Sequence, residues 1–168
     1  FFLGACGMRA LGCIWNDYND KKFDTLVART KNRLIASNKV SKHQIIVFGV
    51  INALLGTLPL YFLPIKTVLL AFMVIPLIIT YPFMKRITWW PQLWLGFNFN
   101  WGILVGSSSI NDQLISFPII LFYLGSVFWT IGYDTIYGFQ DIEDDEIIGV
   151  KSTSIKFKNN HKKFLLVV

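Results

Sequence analysis

The chain has 168 residues, of which 54% are hydrophobic, 16% aromatic and 15% charged, and its mean hydropathy is +0.50. One small domain cannot bury that much apolar side chain, so a water-soluble globular protein is excluded and a membrane protein is indicated. The net charge of +6 does not point to nucleic acid, because the basic residues are confined to a few segments between apolar runs.

In chain order, residues 1 to 16 form a first apolar run interrupted only by Arg9. No basic segment precedes it and no small-residue cleavage site follows, so it reads as a membrane span and not as a signal peptide. Cys6 and Cys13, seven apart on this helix with no His or Cys nearby, are expected to be packing residues. The helix ends near residue 24 and a polar loop follows to about 44. Residues 43 to 65, 67 to 84, 87 to 111 and 113 to 133 then contain no Asp, Glu, Lys or Arg; each run is close to the roughly 20 residues that cross a hydrocarbon core.

The pattern predicts an all-α polytopic transmembrane helix bundle with spans at about 1–16, 45–63, 67–86, 91–107 and 114–138, and residues 164–168 opening a sixth. Short outer connections contain Pro64 and residues 107 to 112. Pro59, Pro76, Pro82 and Pro118 fall inside predicted spans and are expected to mark kinks. Trp89, Trp90 and Trp94 beside Lys85 and Arg86 suggest an interfacial aromatic belt. Because the chain starts and stops within apolar runs, residues 1–168 are expected to be one transmembrane domain, incomplete at both ends.

Fourteen of the sixteen Lys and Arg residues lie in three segments: seven in 17 to 44, two at 85 and 86, and five in 151 to 163. If each run crosses once, all three emerge on one side, which the positive-inside rule makes cytoplasmic. The predicted cytoplasmic loops are therefore 17–44, 85–91 and 140–163.

Two of these loops begin with acidic helix ends. In NDYNDKKFD, residues 16 to 24, Asn16, Asp20 and Asp24 recur every four residues and form one oxygen-bearing stripe, drifting about 40° per step. Asp17 points elsewhere. In DTIYGFQDIEDDE, residues 134 to 146, Asp134, Tyr137, Asp141 and Asp145 at i, i+3, i+7 and i+11 are again expected on one helix face. Carboxylates stacked this way repel one another unless a cation sits among them. Mg2+ is the natural cation, since it takes one or two carboxylates and completes its shell with water and phosphate oxygens. His43 and His161 are isolated, and no Cys or His cluster suits Zn2+. Basic residues follow both acidic ends: Arg29, Lys31 and Arg33 in the first loop and Lys151 in the second, suited to neutralising phosphate. Ionisable groups that continue directly from apolar spans are costly and point to function.

GMRALGCIWNDYNDKKFDTLVARTKNRLIAS resembles the first signature of UbiA-type membrane prenyltransferases, and YDTIYGFQDIEDDEIIGVKST resembles the second. YPFMKRITWWPQ and LGFNFNWGILVG are most similar to the branch that prenylates 4-hydroxybenzoate. The resemblance covers essentially the whole chain and implies a nine-helix fold around a central cavity, of which the first helix and the last several would lie outside this chain. It implies Mg2+ and diphosphate on Asn16, Asp20, Asp24, Asp141 and Asp145, with the four aspartates catalytic. Asp134 and Tyr137 fall near the substrate, and Asp17, Glu143, Asp144 and Glu146 in supporting positions. The implied substrates are a polyprenyl diphosphate and 4-hydroxybenzoate, in ubiquinone biosynthesis. The implied surroundings are a lipid bilayer, a bacterial inner membrane or alternatively a mitochondrial one, without nucleic acid. Arg86, ending a span on the same side, suits the benzoate carboxylate through a two-pronged hydrogen bond; Lys85 and Arg86 also suit a simple interfacial anchor. The alternatives are another acceptor, such as a quinone precursor or haem, or a cation-coupled transporter. Two residues depart from the family pattern: Leu34 where Pro is usual and Asn38 where Gly is common. Both put the shape of the first loop in question.

The charge bias makes a topological prediction. Cysteines introduced near Lys39, Lys85 and Lys158 are expected to react with an impermeant maleimide from the cytoplasmic (or matrix) side only; labelling of any one from the opposite face would break the shared-side arrangement.

Overall fold

The computed structural model describes residues 1–110 and 115–168; the outer connection expected around Asp112 lies outside the described residues. Among these, helices are the regular secondary structure, joined by turns and loops such as the one over residues 25–41. It comprises two compact units, Phe1–Pro64 and Ile65–Val168.

In the first unit, α1 (Phe2–Asp24) runs from the predicted first span through the whole acidic segment without a break. It packs antiparallel against α2 (Lys42–Thr57), which continues as a 3-10 turn, Leu58–Phe62, with Pro59 near its start. Ser41 starts α2 with a reciprocal capping box: its hydroxyl accepts from Gln44 N–H at 3.2 Å, and the Gln44 side chain accepts from Ser41 N–H at 2.8 Å. The two helices meet through small residues. A Cβ on Gly7 would lie 2.5 Å from Gly56 N and 2.7 Å from Asn52 O, so only glycine lets the backbones come this close. The face carrying Gly7 and Leu11 is therefore the packing face of α1; a Cβ on Gly49 would lie 3.9 Å from Leu11 Cδ1. Cys6 and Cys13 do not pack as expected: both are exposed, because they lie off that face.

In the second unit, the predicted 67–86 span is built from two pieces, α3 (Ile65–Phe72) and α4 (Ile75–Ile87), with a turn at Met73 and Val74. Pro76, in the first turn of α4, has no N–H to continue the helix across this turn. Pro118, expected as a kink, instead begins a helix: it occupies the first turn of α6 (Phe117–Tyr137), where a missing N–H costs nothing. Pro82 does sit inside α4.

Among the described residues three helical stretches are long and apolar enough to cross a membrane: Lys42–Phe62, Ile65–Ile87 and Phe117–Ile148. Only 17% to 28% of their most apolar windows is buried within the protein, as expected of surfaces facing lipid. The predicted spans in α1 and in α5 (Pro91–Ile110) are helical but are not among the three. In α5 the reason is polarity, with Gln92, Asn98, Asn100 and Ser107 to Ser109 along its length. Several of these polar groups are served by neighbouring helices, because α5 is the hub of its unit and packs against α3, α4 and α6. The Trp101 indole donates to Leu70 O at 2.9 Å, and the buried Thr67 hydroxyl donates to Ser108 O at 2.9 Å. Toward α6, the Asn100 amide donates to Ser126 O at 3.1 Å and to Thr130 Oγ1 at 2.8 Å. Leu70, Leu104, Tyr123, Val127 and Ile131 form the apolar core around these contacts.

The Gly7 contact gives a stability prediction. Gly7→Ala is expected to destabilise the protein by about 1–3 kcal/mol through overpacking, whereas Gly12→Ala, whose Cβ meets nothing within 4 Å, is expected to be tolerated. Thermal inactivation of the two detergent-solubilised variants, compared side by side, checks the difference.

Candidate functional site

The first acidic segment lies in the first unit, on the last two turns of α1. Asp20 is 3% exposed and Asp24 7%, while Asn16 and Asp17 are partly buried. The helix stops because side chains take its terminal carbonyls: Thr25 Oγ1 donates to Lys22 O at 2.8 Å, and Thr30 Oγ1 donates to Asp24 O at 3.0 Å. Lys21 and Lys22 in the last turn complement the negative end of the helix dipole. The chain then folds back, bringing Arg33 over the acids. Its Nη1 donates to Asp17 Oδ1 at 3.0 Å and to Asp24 Oδ2 at 3.2 Å.

The sequence reading put Arg33 on the substrate's phosphate and left Asp17 in a supporting place; the structure joins the two to Asp24. The Asp17 carboxyl is held above its ordinary range, chiefly by burial and further by the charges of Asp24 and Asp20, against the opposing pull of Arg33. Arg29 and Lys31 are exposed on the same loop. The loop is anchored by buried Val27, Ile35 and Ala36. It closes through Asn38, which adopts a left-handed backbone with φ 56°. Asn38 is where the family pattern commonly has Gly, and the positive φ supplies the reason, since Asn is among the few side chains that tolerate it.

The second acidic segment lies in the second unit and does not form the continuous helix that its spacing assumes. The α-helix ends at Tyr137, a 3-10 turn spans Gly138–Asp141, and α7 (Ile142–Ile148) resumes. A 3-10 turn advances about 120° per residue against about 100° in an α-helix, so four residues rotate Asp141 and Asp145 by roughly 80° from the stripe begun by Asp134 and Tyr137. Asp134, Asp141 and Asp145 are partly buried, and Tyr137 is exposed. Gly149, with φ 79°, ends α7 as a left-handed cap; its N–H and that of Val150 donate to Asp145 O.

Beyond that cap the basic segment is held at several points. Lys151 N–H donates to Lys85 O at 2.7 Å, and Lys151 Nζ donates to Ile87 O at 3.1 Å while lying 5.9 Å from the Trp89 ring centroid. Thr153 N–H donates to Gln92 Oε1 at 3.1 Å, and Ser154 Oγ donates to Thr135 O at 2.8 Å. Buried Gln92, Thr135, Thr153 and Ser154 were not singled out by the sequence reading. The available signal was a Gln in the first turn of a predicted span, directly after Pro91. Of the expected tryptophan belt, Trp89 is exposed; Trp90 packs against Phe157 and Phe164, and Trp94 donates to Thr80 Oγ1. Arg86 is exposed at the end of α4, its guanidinium 5.5 Å from the Phe83 ring centroid.

Among the described residues no three His, Cys, Asp or Glu side chains are gathered closely enough to hold a metal ion by themselves. The donors present are oxygens on neighbouring helical turns, with cationic side chains beside them. That chemistry fits a hard cation sharing its shell with water and phosphate, and it does not fit a closed zinc site.

Apolar helices that end in carboxylates and lead into basic loops define a helical membrane protein. The comparisons with known proteins narrow that class. All of residues 1–168 match the model of the UbiA prenyltransferase family. The mitochondrial 4-hydroxybenzoate polyprenyltransferase of Drosophila pseudoobscura pseudoobscura is 46% identical over 98% of this chain, which covers 42% of that protein. The human protein of the same name is 44% identical over 98% of the chain, covering 44% of its length. The 4-hydroxybenzoate octaprenyltransferase of Marinomonas sp. (strain MWYL1) is 41% identical over 94% of the chain, covering 55% of its length. The apo structure of a UbiA homolog from Aeropyrum pernix K1 shares the fold, with a TM-score of 0.82 over 98% of this chain and 63% of that one, at 24% identity. The chain belongs to the UbiA prenyltransferase family. It spans about half the length of the curated relatives it matches.

The backbone at Asn38 yields a prediction for the first loop. Asn38→Gly is expected to preserve stability or raise it slightly, whereas Asn38→Val is expected to cost about 1–2 kcal/mol because a β-branched side chain resists a left-handed φ. The relative thermal stabilities of the two variants check it.

Proposed function

We propose that the whole protein transfers a polyprenyl group from polyprenyl diphosphate to the ring carbon ortho to the hydroxyl of 4-hydroxybenzoate, in ubiquinone biosynthesis. The observation that carries this reading is the pair of buried carboxylates, Asp20 and Asp24, at the end of an apolar helix with Arg33 folded back onto them. It is supported by relatives named for that activity. Family membership favours an enzyme over the transporter alternative.

Mg2+ would be held by Asn16, Asp20 and Asp24 of the first acidic segment and Asp141 and Asp145 of the second. When bound it supplies positive charge against the leaving diphosphate. Arg29, Arg33 and Lys151 add fixed cations for phosphate oxygens, with Asp134 and Tyr137 near the substrate. Arg33 leaves its pairing with Asp24 to do so and keeps Asp17. The allylic carbon–oxygen bond breaks with its electron pair on the diphosphate, and the ring carbon ortho to the hydroxyl forms the new carbon–carbon bond before losing its proton. Apolar helix surface around the site keeps water from the allylic cation. Arg86 holds the benzoate carboxylate, since an unpaired charge leaving water costs several kcal/mol. The reaction takes place in an inner membrane, bacterial or mitochondrial.

The test uses membranes containing the whole protein, labelled 4-hydroxybenzoate, a polyprenyl diphosphate and Mg2+, with label followed into an organic-soluble product. Asp20→Ala and Asp141→Ala are each expected to lower turnover by about two orders of magnitude or more at matched expression. Near-normal turnover in either would remove the metal-clamp reading. In the same assay Arg86→Leu is expected to raise the KM for 4-hydroxybenzoate about tenfold with little change for the diphosphate. Equal effects on both substrates would return Arg86 to the role of a membrane anchor.

A further inference from the structure

Gln92 is 6% exposed, in the first turn of α5. A buried primary amide is costly unless its groups are paired, and here its oxygen accepts from the backbone N–H of Thr153 at 3.1 Å. Around that link the segment 151–154 is tied down again, with the Thr153 and Thr135 hydroxyls 2.6 Å apart and both side chains fully buried.

We infer that Gln92 is a positioning residue that clamps the loop carrying Lys151 to α5, and so sets where the Lys151 charge meets the diphosphate. This deepens the proposed function and rests on it. The hydrogen bond assigns the task to Gln92 because its Oε1 takes a buried loop N–H onto α5, beside the contacts that Thr153 and Ser154 make with Thr135 on α6. Lys151 follows the clamp because its own N–H is fixed to Lys85 O only two residues away from Thr153.

The test has two arms, both in the whole protein with Cys6 and Cys13 replaced by Ser. In the first, Thr153→Cys provides a thiol at a fully buried position, probed with maleimide without any substrate. The introduced thiol is expected to be shielded in the parent and labelled at least about fivefold faster with Gln92→Leu. With Gln92→Glu, which keeps the acceptor for the loop N–H, it is expected to stay shielded. The second arm is kinetic. Gln92→Leu is expected to raise the KM for polyprenyl diphosphate about fivefold while that for the aromatic acceptor changes less than about twofold. Combined with Lys151→Ala it should add nothing to the effect of Lys151→Ala alone, because Gln92 acts through Lys151. Equal shielding of the introduced thiol in all three proteins, additive effects, or equal rises in both KM values would overturn the clamp. An absence of prenyl transfer in the parent would instead count against the proposed function, since the labelling arm needs no reaction.

Discussion

Hydrocarbon offers no hydrogen-bond partner, so every polar group on an apolar span must be satisfied by the protein itself. That constraint organises the second unit. Asn100, Trp101 and Ser108 on α5 all bond to groups of neighbouring helices, and the Tyr123 hydroxyl bonds back to Phe97 O at 3.0 Å. The most polar helix consequently becomes the hub, while α3, α4 and α6 around it keep large apolar surfaces turned outward. In the first unit, where the facing surfaces carry few polar groups, glycine takes over: Gly7 and Gly56 bring two backbones within packing distance.

The same constraint weighs harder on charge. Asp20 and Asp24 are buried where α1 ends, and carboxylates in such a place need a cation nearby. Arg33 supplies one from a loop whose shape depends on Thr30 capping α1 and Asn38 turning left-handed. Arg33 lies against Asp17 and Asp24 and offsets part of their charge within the protein itself. The acidic helix end and the basic loop after it thus act as one electrostatic unit.

The second acidic segment is held differently. Its helix is interrupted by a 3-10 turn, and the basic loop behind it is fastened by backbone hydrogen bonds to Lys85, Gln92 and Asp145. Here the order comes from neutral groups: buried threonines, a serine and one glutamine between α5, α6 and the loop. Neutral hydrogen bonds in a low-dielectric interior hold a charged side chain in place without adding a competing charge to the site.

Helix class, membrane character and the two acidic segments were legible in the sequence because they depend on local composition and on spacing along the chain, which need no tertiary contact. The uncharged runs marked α2 to α6, and the fourfold spacing of Asn16, Asp20 and Asp24 marked one face of α1. Tertiary structure alone decided which distant residues meet. Arg33 reaches Asp17 and Asp24 only when the loop folds back, and Gln92 joins Thr153, sixty-one residues away, through packing that no local pattern encodes. It also decided that Pro118 starts a helix, that Cys6 and Cys13 lie off the packing face, and that the 134–145 stripe is broken at Gly138. The physical reason is the same in each case. Periodicity records which residues share a helix face, whereas the partner that satisfies a buried polar group or fills a gap is chosen by whichever element arrives beside it.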